Sequence, residues 1–227
     1  MTRALELVAA TADGRLELRR RGGDFLLLEG GRVLMNGAAD RSERLLAEAA
    51  CERIGARRAP HVLIAGLGMG ITLRAALERL PARAAVHVSE LVPEIVHWCR
   101  GPLRALSGAA LDDARVHVAV EDVREPIARA ARGEAARWHA ILLDLSAGPA
   151  PRGLRHDPLY GPAALGAAAS ALAPGGVLGV WGEQPSPAFE RGLARAGLAH
   201  ACLRPRAPRR HVVYLAWEGT RRGRGVR

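Results

Sequence analysis

The segment that most constrains the fold is a short apolar run that leads directly into closely spaced glycines. Val62–Ala65 has the composition of a buried strand, the loop Gly66-Leu67-Gly68-Met69-Gly70 follows it without a break, and Ile71–Leu77 has a helical pattern. A strand that ends in such a loop and opens a helix lets the backbone approach a nucleotide. The segment therefore predicts a nucleotide-type ligand in an α/β sheet, with the three glycines of the loop as contacts.

The spacing of the glycines narrows the class of ligand. A dinucleotide fingerprint requires a glycine three places after Gly68, and Ile71 stands there instead. The resulting G-x-G-x-G pattern favours an adenosine-type ligand without a pyrophosphate, which points to S-adenosylmethionine or a relative. Glycines at a strand-to-helix turn also occur for packing alone, and that interpretation stays open for the loop taken by itself.

Acidic residues end the next three apolar runs along the chain. Val86–Ser89 leads to Glu90, Val116–Val120 to Glu121-Asp122, and Ala140–Leu143 to Asp144; a fifth run, Val177–Trp181, follows the turn Leu172–Gly176. Glu90 lies twenty residues after Gly70, where a carboxylate can accept both hydroxyls of a ribose, and an acid after the third run can accept an adenine amino group. Each acid taken singly could be an ordinary turn residue or helix cap.

The order of the predicted elements gives the fold class. Four short strands between residues 5 and 36 predict a small N-terminal β-hairpin appendage over residues 1–39. A helix follows to Ile54, with Asp40 as its N-cap and Glu43 three residues on. Alternating strands and helices from Pro60, closed by an antiparallel hairpin, predict a doubly wound, mostly parallel seven-stranded, Rossmann-like sheet over residues 40–220. Residues 221–227 form a basic tail.

The positive charge of the chain is a weak indication of a partner. The net charge is +10, but all 33 basic residues are arginine, which indicates coding bias in the genome. A nucleic-acid partner is therefore not favoured, and the scarcity of aromatic residues, 4%, leaves no stacking platform for single strands. The arginine-rich C-terminus is explained as a solvated tail.

The remaining composition predicts a cytoplasmic protein without a metal. Cys51, Cys99 and Cys202 are widely separated and odd in number, which favours reduced thiols over a disulfide framework or a zinc site. Glu6 and Asp13 interrupt the N-terminal region, so no signal peptide is expected. No segment approaches the roughly 20 apolar residues that a membrane span requires.

From about Arg15 to Trp217 the chain resembles the spermidine synthase group of aminopropyltransferases, which have the class I methyltransferase fold and an N-terminal strand domain. The matching segments are Asp40–Glu43, the helix with Glu48, the loop Gly66–Gly70, Glu90, Asp122, Asp144, Leu159-Tyr160, the turn Pro174–Gly176 and Gly182-Glu183. The resemblance implies that Glu90 holds the ribose, Asp122 the adenine, and that Asp144 faces the reacting centre. It also implies a homodimer formed through the appendage.

The departures from this family concern the substrate. Met69 stands where the family's glycine loop has an aspartate for the aminopropyl ammonium, and Ala147 stands where a second aspartate holds the acceptor polyamine. Gly37 and Leu46 stand where the family has a glutamine and a tyrosine. Each missing charged hydrogen bond removes on the order of 1.5–3 kcal/mol of binding free energy. The sequence therefore predicts that the chemistry has diverged from polyamine synthesis.

The leading hypothesis is methyl transfer from S-adenosylmethionine to a small-molecule acceptor. Asp144 would orient or deprotonate the acceptor. The acceptor loop, Ser146 to Gly161, offers Ser146, His156, Asp157 and Tyr160, and Glu183 lies near it with Trp181 at the end of the fifth run. His156 and Tyr160 are also explained as hydrogen-bonded loop residues, and Asp157 as a turn former.

Two alternatives accompany the hypothesis of methyl transfer. The first is aminopropyl transfer from decarboxylated S-adenosylmethionine, with the missing acids replaced by others; the candidates are Glu43, Glu48, Asp157 and Glu183. The second is a nucleoside-binding protein without catalysis. A donor titration separates the first alternative from the leading hypothesis, and a turnover assay tests the second.

Overall fold

The computed structural model of the chain describes residues 4–146, 148–149, 158–206 and 211–219. It contains a four-stranded antiparallel sheet followed by a seven-stranded, mostly parallel sheet with helices. The predicted fold class, a doubly wound α/β sheet with an N-terminal β appendage, is therefore confirmed. The predicted boundary at residue 39 falls between the last strand of the first sheet and the first helix, and the division into domains stays a prediction.

The N-terminal sheet is a simple meander in the order β1-β2-β3-β4. Its strands are β1 (Glu6–Ala10), β2 (Leu16–Arg21), β3 (Asp24–Glu29) and β4 (Arg32–Asn36). Leu16 and Leu18 alternate with charged residues along β2, so one face of the strand is buried and the other is solvated. These leucines and Leu27 join the same apolar core as the first helix, which fixes the small sheet against the large one.

The large sheet has the strand order β10-β11-β9-β8-β5-β6-β7. Its strands are β5 (His61–Ala65), β6 (Ala85–Glu90), β7 (Val116–Val120), β8 (Trp138–Leu143), β9 (Leu172–Gly182), β10 (Leu198–Leu203) and β11 (Val212–Glu218). Strands β5 to β9 pair in parallel, and β11 runs antiparallel to both β9 and β10. From β5 the chain adds β6 and β7 on one side and then returns to add β8 on the other side of β5. Open α/β sheets bind ligands at such a switch point.

Helices cover both faces of the large sheet. They are α1 (Arg41–Ile54), α2 (Ile71–Leu77), α3 (Pro93–Arg100), α4 (Arg104–Ser107), α5 (Arg124–Ala131), α6 (Pro162–Ala171) and α7 (Pro187–Arg195). Successive residues of β5 enter different cores, with Ile64 packed on one side and Leu63 on the other. This period-two burial on both faces explains why the strand is apolar throughout.

Three local expectations need correction or comment. Asp40 occupies the N-cap position of α1, but its side chain makes no capping hydrogen bond and lies 3.7 Å from the Arg74 guanidinium instead. Glu43, expected to complete a capping box, is turned into the interior. Strand β9 begins at Leu172, five residues before the predicted start, because the Pro-Gly-Gly segment is part of the strand. Within the described residues, no helix has the length and apolar character needed to cross a membrane.

Candidate functional site

A cavity of about 510 Å³ opens where the carboxyl ends of the parallel strands meet the N-terminal sheet. This volume is within the range of small-molecule sites, roughly 300–1,000 Å³. Six residues that were predicted from the sequence to contact donor or acceptor are among those that line it: Gly66, Gly68, Glu90, Asp122, Asp144 and Ser146. Their roles remain predictions, but the sheet brings them to the same edge, around one cavity.

Two glycines of the loop, Gly66 and Gly70, are explained by different close contacts. Gly66 has φ +83°, and a Cβ there would collide with the main-chain oxygen of Asp144, so the loop can pass β8 only with glycine at this position. Gly70 has φ +75°, and a Cβ there would lie 2.7 Å from the Cβ of Ser107. Gly70 is not among the described residues of the cavity wall. Packing against Ser107 explains it, and the structure does not place it as a ligand contact.

Glu90 lies at the end of β6 with its carboxylate beneath the glycine loop. Its two oxygens accept hydrogen bonds from the backbone N–H groups of Leu67 (2.8 Å) and Val92 (2.9 Å), and the residue is 7% exposed. A carboxylate oxygen has two lone pairs, so each oxygen keeps one for a further donor. The geometry is compatible with the predicted contact to a ribose diol.

The next strand end carries acids that already have strong partners. The carboxylate of Asp122 accepts from the Arg124 backbone N–H and from its guanidinium Nε, both at 2.9 Å, and these bonds hold the pKa of Asp122 below its usual value. Burial raises the pKa of Glu121, but hydrogen bonds from His87 (2.6 Å) and Ser89 (3.0 Å) outweigh it and the net change is downward. Sequence reasoning missed Arg124, His87 and Ser89; the alternation of β6, which puts His87 and Ser89 on one face, was the available signal.

At the opposite side of the cavity two carboxyl groups form what we term the acid pair, Glu43 and Asp144. The hydroxyl of Thr72 donates to Asp144 Oδ2 at 2.6 Å, and the hydroxyl of Ser42 donates to Glu43 Oε2 at 2.8 Å. Burial, followed by the negative charge of Glu43, raises the pKa of Asp144 to about 7. Burial is also the main reason that the pKa of Glu43 is raised, with Asp40 adding to it. Two acids that disfavour each other's ionisation in a cleft are candidates for proton transfer.

A histidine and a tryptophan extend the acid pair on its buried side. Ser42 Oγ lies 3.0 Å from His211 Nδ1, and the His211 ring packs edge-to-face on Trp181 with 4.9 Å between centroids. Trp181 lines the cavity near the end of β9 and also belongs to the apolar core, two alternatives that the sequence left open. Sequence reasoning did not single out Ser42 or Thr72, and it treated His211 only as part of a strand. No local motif marks them, because the three residues come from α1, α2 and the start of β11.

The other predicted substrate residues lie away from the cavity or outside the described residues. The Tyr160 ring packs edge-to-face on Phe189, and its neighbour Leu159 lines the cavity instead. Glu183 forms an ion pair with Arg32 (3.1 Å), and Glu48 pairs with Arg44 (2.9 Å). None of Tyr160, Glu183 and Glu48 is among the wall residues that the structure describes. The predicted residues Ala147, His156 and Asp157 lie outside the described ranges, as do Arg152 and Arg155.

Met69, the first departure from the family pattern, is a core residue. It is 0% exposed and packs beside Gly37 in the apolar core shared with α1. Leu46, another departure, is equally buried. The predicted substitution of an aspartate by Met69 therefore places an apolar side chain in the interior, and Met69 is not among the described residues of the cavity wall.

The N-terminal sheet covers the cavity on the side that faces the glycine loop. Leu16, Leu27, Leu34 and Met35 supply an apolar surface, and Met35 lies directly over Gly68. The described wall also contains six carboxyl groups, those of Glu29, Glu43, Glu90, Glu121, Asp122 and Asp144, and one guanidinium, that of Arg124. Arg124 is paired with Asp122, and Arg15 and Arg129 lie near Glu29 and Glu121, so the described wall has more carboxyl groups than guanidinium groups but part of its charge is already balanced.

Comparison with known proteins gives related proteins and a fold. No protein-family model matches the chain. The polyamine aminopropyltransferase of Mycobacterium tuberculosis is 34% identical over 168 residues, 73% of this chain, and the chain spans only 30% of that protein's length. Among solved structures, spermidine synthase from Thermotoga maritima covers 94% of this chain and 73% of its own, with a TM-score of 0.71 and 16% identity.

Two further solved structures carry ligands. A spermidine synthase in complex with the transition-state analogue AdoDATO has a TM-score of 0.70 and 15% identity, and the alignment covers 94% of this chain and 73% of that one. Human methyltransferase-like protein 13 in complex with SAH has a TM-score of 0.56 and 18% identity, with 82% of this chain and 83% of that one covered. At these identities the structures establish the fold alone.

Proposed function

We propose that the chain is a member of the spermidine synthase-like family and that it transfers an aminopropyl group from decarboxylated S-adenosylmethionine to a small amine. The observation that carries this proposal is the charge of the cavity wall: six carboxyl groups and one guanidinium that is already paired. Such a wall suits a donor that carries a sulfonium and an ammonium group, and an acceptor that arrives as an ammonium ion.

The charge of the donor's tail decides between the two forms of the cofactor. The carboxylate of S-adenosylmethionine about 4 Å from a wall carboxylate would be repelled by about 4 kcal/mol at an effective dielectric constant of 20. Both donors carry the sulfonium and the ammonium group, and decarboxylation removes only the carboxylate, so the decarboxylated donor keeps the attraction to the wall and escapes this repulsion. The described wall therefore favours the decarboxylated donor, which reverses the order of the two transferase hypotheses drawn from the sequence.

The proposed reaction needs few protein groups. Displacement at a sulfonium is helped mainly by holding donor and acceptor in line. Glu90 and Asp122 are proposed to hold the ribose and the adenine, and the acid pair to accept a proton from the acceptor ammonium so that a neutral amine can attack. A carboxyl group with a pKa of about 7, as in Asp144, suits an acid–base role near neutral pH.

Methyl transfer from S-adenosylmethionine to an amine is the second candidate. The observation that favours it is Met69, which is buried in the core and contributes no carboxylate for an aminopropyl ammonium. The family's nucleoside contacts serve either donor. Binding of a nucleoside without catalysis is the third possibility, and the prediction of a homodimer can be tested separately by sedimentation velocity.

A calorimetric titration of the purified chain tests the proposal. We expect decarboxylated S-adenosylmethionine to bind at least tenfold more tightly than S-adenosylmethionine, and turnover with a panel of mono-, di- and polyamines to consume it. Tighter binding of the carboxylated donor, together with methylated products, would establish the second candidate. Binding without turnover for either donor would leave the nucleoside-binding protein.

A further inference from the structure

We propose that Ser42 and His211 form a proton relay that carries away the proton released by the acceptor amine to the acid pair. The inference rests on the proposed function, because only transfer to an amine delivers a proton to Glu43 and Asp144. It concerns residues that lie behind the cavity wall and that were not identified from the sequence.

The relay is a continuous chain of short hydrogen bonds. Ser42 Oγ lies between Glu43 Oε2 at 2.8 Å and His211 Nδ1 at 3.0 Å, and Ser42 is 2% exposed. A hydroxyl has one hydrogen and can donate in one direction only. When Glu43 is ionised, Ser42 donates to it and His211 Nδ1–H donates to Ser42. When Glu43 is protonated and His211 is the Nε2–H tautomer, Glu43 donates to Ser42 and Ser42 donates to His211 Nδ1. Transfer of one proton along each of these bonds leaves an ionised Glu43 and an imidazolium, which releases its Nε2 proton.

The groups around the acid pair favour Ser42 as the route by which the proton leaves. Thr72 donates its only hydroxyl hydrogen to Asp144, and Asp144 completes the pair from the end of β8. The charged group that faces Glu43 from its own end of α1 is Asp40, an acid that disfavours a second negative charge. Of the described side chains hydrogen-bonded to the pair, Ser42 is the one that connects onward to a titratable base, the partly exposed His211.

The protons and electrons balance in the proposed step. The acceptor ammonium loses one N–H proton to the acid pair, and the freed lone pair of the nitrogen forms the new N–C bond. The C–S bond breaks, and its electron pair stays on sulfur as the neutral thioether. The product amine keeps the positive charge that the sulfonium lost. The proton on the acid pair moves through Ser42 to His211 and from there to solvent, which restores the pair for the next turnover.

Removal of either relay member tests the proposal by activity. We expect Ser42→Ala and His211→Ala to lower kcat about tenfold or more while the dissociation constant for the donor stays within twofold. Added imidazole should restore a large part of kcat in His211→Ala, because a free base then replaces the missing ring. Glu52→Gln, on the same helix but exposed, is the matched control and should keep wild-type kcat. Unchanged kcat in both relay variants, or a loss in His211→Ala that imidazole does not restore, would overturn the relay.

A measurement without turnover separates the relay from the proposed function. The ring-nitrogen NMR signals of His211, followed against pH, should contain a second step that reports the ionisation of the acid pair. This step should vanish in Glu43→Gln and persist in Glu52→Gln. If the wild-type chain turns over no amine but the second step is present, the proposed function fails and the hydrogen-bonded connection stands. If amines are converted but the step is missing, the relay fails and the proposed function stands.

Discussion

The two ends of the cavity use the same residue types in opposite ways. At one end Glu90 and Asp122 receive hydrogen bonds from backbone N–H groups and from the guanidinium of Arg124. At the other end Glu43 and Asp144 receive them from hydroxyl groups and lie close enough for each charge to disfavour the other. Fixed dipoles and a cation stabilise a carboxylate, whereas a hydroxyl supports either protonation state. The first end is suited to hold a ligand, and the second is suited to exchange a proton.

The largest effect is expected on the turnover of an Asp144→Asn variant, which tests whether the two ends of the cavity have different roles. Asparagine keeps an oxygen that can accept from Thr72, but it cannot take up a proton. We expect kcat to fall by about 10²- to 10⁴-fold, with the dissociation constant for the donor nucleoside within threefold of wild type. Single-turnover kinetics and calorimetry measure the two quantities. If the variant loses the nucleoside instead, the division of the cavity into two ends is wrong.

Glu90→Ala is the corresponding change at the nucleoside end. Two charge-assisted contacts to a ribose diol are each worth about 1.5–3 kcal/mol, so the variant should bind the donor at least about a hundredfold more weakly. Glu90→Gln retains one acceptor oxygen, so its affinity for the donor should lie between those of wild type and Glu90→Ala. Calorimetry gives the affinities, and circular dichroism checks that the fold survives. Tight binding by Glu90→Ala would place the ribose elsewhere.

The predicted fold follows from signals that are local in the sequence. Apolar runs that end in glycine or acid gave β5, β6 and β8, and alternating leucines gave β2, because burial on one or both faces leaves a pattern within a few residues. Glu90 was identified for the same reason: a parallel strand fixes where its last residue lies. Asp144 comes to Gly66 through the pairing of β5 with β8, which repetition at successive strand ends made predictable.

The acid pair was only half predictable because its second member depends on tertiary contacts. Asp40 and Glu43 have the spacing of a capping box, and that local explanation competed with a role in the site. Packing of α1 against α2 turned Glu43 inward instead. Met69 was interpreted as a lost ligand, but the direction of a loop side chain depends on what packs around it, here Gly37 and the core beneath the N-terminal sheet.

A smaller effect than those on turnover and binding is expected on the pH dependence of the stability of the fold, and it also tests the comparison. In the fold the pKa of Asp144 is raised to about 7 from its ordinary value of 3.8, so the native state binds a proton that the unfolded chain has released. This contribution lowers stability progressively as pH rises from about 4 to about 7, and the full cost, at most about 4 kcal/mol, applies above that range. Asp144→Asn should therefore melt above wild type at pH 8, by up to about 8–16 °C, and at the same temperature as wild type at pH 4.

A matched control for this measurement has the opposite sign. Hydrogen bonds from Arg115 lower the pKa of the partly exposed Asp113 to about 2, so its contribution to stability is present above its unfolded pKa and is lost as pH falls through the lower value. Asp113→Asn should lower the melting temperature slightly at pH 8 and leave it unchanged near pH 2. Parallel melting curves of the two variants between pH 2 and pH 8 check both signs. An Asp144→Asn curve that tracks wild type at every pH would show that the acid pair is not destabilised by its charge.

The smallest effect is expected for Glu183→Gln, which tests whether a carboxyl group outside the described cavity wall contributes to acceptor binding. The side chain of Glu183 lies beside the site in sequence, but it is ion-paired with Arg32 and 40% exposed. An exposed pair contributes about 0.2–1 kcal/mol, and the charge is screened by salt from an amine in the cavity. We expect the KM for the acceptor amine and the donor affinity to change less than twofold, and the melting temperature by no more than about 3 °C. A KM that rises tenfold would move the acceptor outward to the rim where the N-terminal sheet meets β9, and the acid pair would then face only the reacting carbon.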